Sequence, residues 1–208
     1  MTNIYLTRHG KTVWNLEKRL QGFGDSPLTE EGITQAGELR DRLENIDIDC
    51  IYTSPIERAY RTARIIKGNK NIKVVVDDRL KEINFGEYEG STQEELLKLG
   101  KGHEIDQIFN AEMDVRAPGG ESLRELCERV KSVLDDILLY EKDKNVLIVT
   151  HGTTLKAVVG YFRNNTGFYE KIMGQATLTK IVCNDRDFKF EYIDDGSHLK
   201  SNVNKSGW

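Results

Sequence analysis

The chain has 208 residues, enough for one large domain with a full core. Its charged and apolar fractions, 31% and 38%, are those of an ordinary globular protein, and a net charge of −4 argues against nucleic acid or an anionic membrane as the main partner. Any anion site must then be local and built from a few placed cations.

The first predicted strand covers residues 3–7, and a long loop, 8–28, follows it. Thr29 reads as an N-cap with Glu30 and Glu31 in the first turn, and Ile33, Ala36, Leu39 and Leu43 stripe that helix. A second strand, 50–53, runs into Ser54-Pro55-Ile56-Glu57, which predicts a helix with Ser54 as N-cap and Glu57 closing a capping box. Val74, Val75 and Val76 form a third strand. Residues 84–120 are irregular, with several glycines, and are expected as an inserted lid. Ser122 and Glu125 then open a long helix with apolar residues from Leu123 to Leu138 at helical spacing. A strand at 146–149, a helix near 153–163 and two strands near 177–183 and 188–193 complete the pattern. The expectation is one α/β domain over 1–196, a mostly parallel sheet between two helical layers, and a loose polar tail at 197–208.

No apolar run approaches the length of a membrane span, and no charged n-region with an apolar h-region marks a signal peptide. Cys50, Cys127 and Cys183 lie far apart and match no CxxC pattern, so reduced thiols in a cytoplasmic protein are expected. His103 and His198 are isolated, no HxH, HExxH or Asp-rich loop occurs, and neither metal nor cofactor is expected.

Ligands of such sheets bind at the carboxyl ends of the strands, and two strands end alike, in Arg8-His9-Gly10 and Thr150-His151-Gly152. Glycine after each histidine permits tight turning and close backbone approach to a ligand. Arg8 supplies a planar fork of donors, and Arg58 lies in the first turn of the helix after the second strand, whose N-terminus adds positive charge. Two guanidiniums, two imidazoles and a helix terminus suit a tetrahedral dianion. The chemistry indicated is phosphoryl transfer, with an imidazole nitrogen attacking phosphorus and the cations neutralising its oxygens. Glu82, after the third strand and flanked by apolar residues that favour a protonated carboxyl, is the candidate acid.

Six stretches occur in order: RHGKTVWN at 8–15, QGFGDSPLTEEGITQA at 21–36, YTSPIERAYRTA at 52–63, LKEINFGEYEG at 80–90, PGGES at 118–122 and VTHG at 149–152. Together they resemble the histidine phosphatase superfamily in its phosphoglycerate mutase-like branch. The resemblance implies that His9 is the nucleophile, that Arg8, Arg58 and His151 complete the phosphate pocket, and that Glu82 is the proton donor. It also implies that Asn15, Gln21 and Gly22 line the pocket and that the backbone at Gly152 and Thr153 donates to phosphate.

The superfamily divides into mutases and phosphatases. Residues 83–90 after the acid lack the Glu-Arg-x-Tyr-Gly pattern of the mutases, and the lid is abbreviated, which favours hydrolysis. A metal-independent phosphomonoesterase acting on a small phosphorylated metabolite is expected, as a monomer or homodimer. A cofactor-dependent phosphoglycerate mutase and a non-catalytic phospho-ligand binder are the alternatives. Lys11 stands where the family usually has Glu or Gln, and the expectation is that it selects substrates with a second anionic group.

Overall fold

The computed structural model describes residues 1–163, 168–169, 171–185 and 187–200. Its elements are β1 (Thr2–Arg8), α1 (Val13–Glu17), α2 (Glu30–Arg42), β2 (Cys50–Thr53), α3 (Glu57–Lys67), β3 (Lys73–Val76), α4 (Gln93–Lys98), α5 (His103–Phe109), α6 (Leu123–Tyr140), β4 (Asn145–Thr150), α7 (Gly152–Phe162), β5 (Leu178–Asn184) and β6 (Asp187–Asp195). The six strands form one sheet in the order β3-β2-β4-β1-β5-β6. β1 to β4 run parallel, and β5 is antiparallel to both of its neighbours.

Alternation along the central strands builds two cores. Ile4, Leu6, Val146 and Ile148 point to the layer of α6 and α7, where they meet Leu126, Val130, Leu155 and Val158. Tyr5, Leu147 and Val149 point to the other layer, against Leu39 of α2 and Ala59 and Ala63 of α3. Burial on both faces explains the unbroken apolar run in β4.

The expected caps hold at α2, where Thr29 accepts from Gly32, and at α6, where Ser122 and Glu125 form a capping box. The start of α3 is a correction. That helix begins at Glu57, its N-cap is Ile56, and no side chain caps it. The Ser54 hydroxyl instead accepts the Ile56 N–H at 3.2 Å in a tight local turn. The loop 8–28 also holds the unforeseen α1, capped by Thr12 with Asn15.

Residues 84–120 are anchored to the body. Phe85, Tyr88, Leu96, Ile105, Ile108 and Ala117 share the core of α6 and α7. In the segment expected as a loose tail, the His198 imidazole donates to the Ala176 carbonyl and Leu199 packs on the second core. Residues 201–208 lie outside the described residues. The three cysteines are unpaired, and burial pushes Cys50 up to about 11 and Cys183 up to about 12, so neither is an activated nucleophile. Among the described residues no helix is long and apolar enough to cross a membrane.

Candidate active site

Register places the two histidines side by side. Arg8 of β1 is opposite Thr150 of β4, and the His9 N–H donates to the Thr150 carbonyl at 2.9 Å. The imidazole centroids are 5.3 Å apart, with planes tilted by 59°. β2 ends beside them, the Ser54 N–H donating to the Val149 carbonyl, and α3 then delivers Arg58. The Thr150 hydroxyl holds the Leu80 carbonyl at 2.6 Å, which brings Glu82 to the same edge. The carboxyl ends of four parallel strands thus meet at one cleft, lined in part by Arg8, His9, Arg58, Glu82, Gln21 and Gly22.

The two glycines serve packing. A side chain at Gly10 would meet the Gly32 carbonyl oxygen of α2 at 2.3 Å. A side chain at Gly152 would press on the Arg8 guanidinium, with its Cζ at 3.2 Å.

His9 Nδ1 lies 2.8 Å from the Gly10 carbonyl oxygen. A carbonyl only accepts, so Nδ1 carries the proton and Nε2 carries the free lone pair. Burial, with Arg58 and Arg8 nearby, holds His9 well below the usual histidine range, and burial with Arg58 does the same for His151. Both imidazoles are therefore neutral near pH 7. Burial also lowers Arg58, and it lowers Arg8 to about 10, which leaves Arg8 a cation.

The guanidiniums are held from behind. Arg58 donates to the carbonyls of Gly24 at 2.6 Å and Gly22 at 2.8 Å, and Arg8 donates to the Met173 carbonyl at 3.2 Å. Arg8 Nε, Arg58 Nε, His151 Nδ1 and Asn15 Nδ2 are buried nitrogens without a partner. Orphaned donors are costly, and several around two cations call for an anion. Gln21 and Gly22 line the cleft, and Asn15 takes the Thr12 N–H on its Oδ1 at 3.0 Å, which leaves its Nδ2 as one of these donors.

Glu82 differs from expectation. Its carboxylate is ringed by donors rather than by apolar groups: the N–H of Ile83 at 3.0 Å, of Thr153 at 3.1 Å and of Thr154 at 3.0 Å. The Thr153 N–H expected for phosphate thus goes to Glu82. At α3, the Asp25 carboxylate lies 3.4 Å from the Arg58 N–H and 3.3 Å from its guanidinium. Both helix N-termini face carboxylates, so anion binding falls to side chains.

Lys11 also departs from its expected role. It is buried, and its ammonium binds both Glu31 oxygens, at 3.0 and 2.8 Å. Because Glu31 neutralises it, Lys11 offers no site for a second anion. The cleft beyond Glu82 is walled by Leu20, Phe85 and Phe109, the two rings 6.2 Å apart. Arg19 at its rim is engaged by Glu17 and Glu95.

Three supporting residues escaped the sequence reading. Arg129 on α6 donates to the carbonyls of Arg79, Lys81 and Glu82 and pairs with Glu121, clamping the segment that bears Glu82. Glu89 accepts the N–H groups of Phe23, Gly24 and Phe85, fixing the loop whose carbonyls grip Arg58. Ser54 lies 2.8 Å from His151 Nε2. Glu89 stands in the quoted FGEYEG stretch, so its position was visible although its task was not. Arg129 carried no local signal beyond a charge on the polar side of a helix. Among the described residues no group of three His, Cys, Asp or Glu side chains is placed to hold a metal ion.

A family model described as the histidine phosphatase superfamily (branch 1) matches residues 4–196. A protein named probable phosphoglycerate mutase GpmB, from Salmonella choleraesuis, is 38% identical over 159 residues, which are 76% of this chain and 74% of that protein. The solved structure of Bacillus stearothermophilus YhfR superposes with a TM-score of 0.90 at 34% identity, covering 96% of this chain and 100% of that one. A phosphoserine phosphatase from Entamoeba histolytica, solved as an H9A mutant in complex with phosphoserine, gives 0.82 at 28% identity, covering 96% and 100%.

Proposed function

The chain belongs to the histidine phosphatase superfamily, and on that footing we propose that it hydrolyses small phosphomonoesters through a phosphohistidine on His9. The Nε2 lone pair attacks phosphorus in line as the bond to the leaving oxygen breaks. Arg8 and Arg58 neutralise the equatorial oxygens, and the Glu82 carboxylate relays the proton of the phosphomonoester monoanion to the departing oxygen. Glu82 then takes a proton from water, the water oxygen attacks phosphorus, and the phosphorus–nitrogen bond breaks to release inorganic phosphate. The observation that carries this reading is the set of orphaned buried donors beside a histidine whose Nε2 is left as its lone-pair nitrogen.

The relatives named as probable mutases favour a second reading, phosphoglycerate mutase. A mutase must hold an acidic phosphoester by its other anionic groups. Here Lys11 is spent on Glu31 and Arg19 on Glu17 and Glu95, while the wall is Leu20, Phe85 and Phe109. That lining suits a leaving group with an apolar or planar face. The test is a phosphoester panel with EDTA present, run beside a mutase assay primed by bisphosphoglycerate. Hydrolysis insensitive to EDTA, acid-labile phosphate on the protein and its loss in His9→Ala are expected. Primed mutase turnover exceeding hydrolysis would replace this reading with the other.

A further inference from the structure

Ser54 fails to cap its helix because its hydroxyl is committed elsewhere. Its oxygen accepts the Ile56 N–H at 3.2 Å and lies 2.8 Å from His151 Nε2. The hydroxyl has one hydrogen, and the amide cannot take it. His151 Nε2 is the one acceptor within reach of that hydrogen among the described groups. The imidazole nitrogen must then be the lone-pair nitrogen, which places the ring's own hydrogen on Nδ1. His151 Nδ1 is a buried atom without a partner, in a ring 5.3 Å from His9 and with 0% exposure.

We propose that Ser54 is a positioning residue: it holds His151 in the Nδ1–H form, so that this N–H is a fixed donor to a phosphoryl oxygen on its way to His9. Without Ser54 the Nε2–H form becomes competitive, and that form presents a lone pair on Nδ1 where the phosphoryl oxygen needs a donor. The sequence Ser54-Pro55 fits the task. Proline has no N–H to compete for the hydroxyl, and the backbone turn sets the serine at the end of β2, next to β4.

The use of the donor rests on the phosphoryl-transfer reading, but the tautomer does not. Imidazole 15N spectra of the ligand-free protein, with His151 assigned from a His151→Asn spectrum, should show a protonated Nδ1 and an unprotonated Nε2. Ser54→Ala should shift His151 toward a tautomer mixture. Its kcat should fall about tenfold, less than the roughly hundredfold or greater loss on deleting such a donor outright, with KM changed less than about twofold. Ser54→Thr, which keeps the hydroxyl, should recover both. A protonated Nε2 in the wild-type spectrum overturns the proposal whether or not any variant folds. Unchanged kcat in a folded Ser54→Ala protein overturns it too. A protein that shows the Nδ1–H form yet hydrolyses nothing would sustain the tautomer and remove the activity reading instead.

Discussion

At the scale of single residues, the proposed chemistry depends on a neutral His9 beside two cations. His9 is lowered by burial first, then by Arg58 and Arg8. Removing a cation relieves part of that effect, so Arg58→Met should raise the His9 pKa toward the ordinary 6.5. A titration of the His9 imidazole 15N signals checks the sign, and a downward or absent shift would refute it. Lys11 permits a second prediction. Since its ammonium is bound by Glu31, Lys11→Gln should alter kcat/KM equally for singly and multiply anionic esters. A selective loss for the multiply anionic ones would restore the role the sequence suggested. His9, Arg8, Arg58, Glu82 and His151 were all legible as residues that meet, because motifs at strand ends carry position as well as type. The fate of Lys11 was not legible, because its partner lies a helix away and charge pairing leaves no periodic trace.

At the scale of elements, α6 does more than cover the sheet. Its Arg129, paired with Glu121 at 2.6 Å, grips three carbonyls of the segment that bears Glu82. Both side chains are largely buried, so Arg129→Met leaves Glu121 uncompensated and should cost about 2–3 kcal/mol of stability. The same change should lower kcat more than it raises KM, because the acid loses its placement while the phosphate donors keep theirs. Denaturant titration and steady-state kinetics measure the two effects. The two rings of the cleft wall, Phe85 and Phe109, belong to the segment between β3 and α6, and Phe109 closes α5. Phe109→Ala should raise KM for an aryl phosphate several-fold more than for 3-phosphoglycerate; equal changes would argue against an apolar leaving-group site. The long apolar stripe of α6 and the unbroken apolar run of β4 were readable in advance. The five residues of α1 and the short α4 and α5 were not, because each has too few turns for a pattern to accumulate. The start of α3 misled for a different reason: the hydroxyl of its expected cap lies against His151, the residue that follows the neighbouring strand β4.

At the scale of the whole molecule, the buried histidines make folding sensitive to acid. Both have folded-state pKa values below the ordinary 6.5. Below that pH the unfolded chain takes up protons that the native state refuses, so stability present above about pH 6.5 is lost as pH falls through the folded values. Each histidine contributes a slope of up to about 1.4 kcal/mol per pH unit. Chemical denaturation between pH 8 and 5 should show this slope, and His9→Asn should reduce it by the share of one histidine, up to about 1.4 kcal/mol per pH unit. On the proposed function the native cleft binds orthophosphate and the unfolded chain does not, so orthophosphate should raise Tm.

β1 lies between β4 and β5, strands that follow it by some 140 and 175 residues, and the β5 side also braces Arg8: the Ala176 N–H donates to the Arg8 carbonyl and the Met173 carbonyl receives its guanidinium. During synthesis β1 therefore waits with both edges unpaired until β4 is made, and with one edge unpaired until β5 is made. The anion cradle and the centre of the sheet close together and late. A chain that lacks β5 should in consequence expose an unpaired strand edge and leave Arg8 without its brace, and aggregation of such a truncated chain is the measurement that checks this.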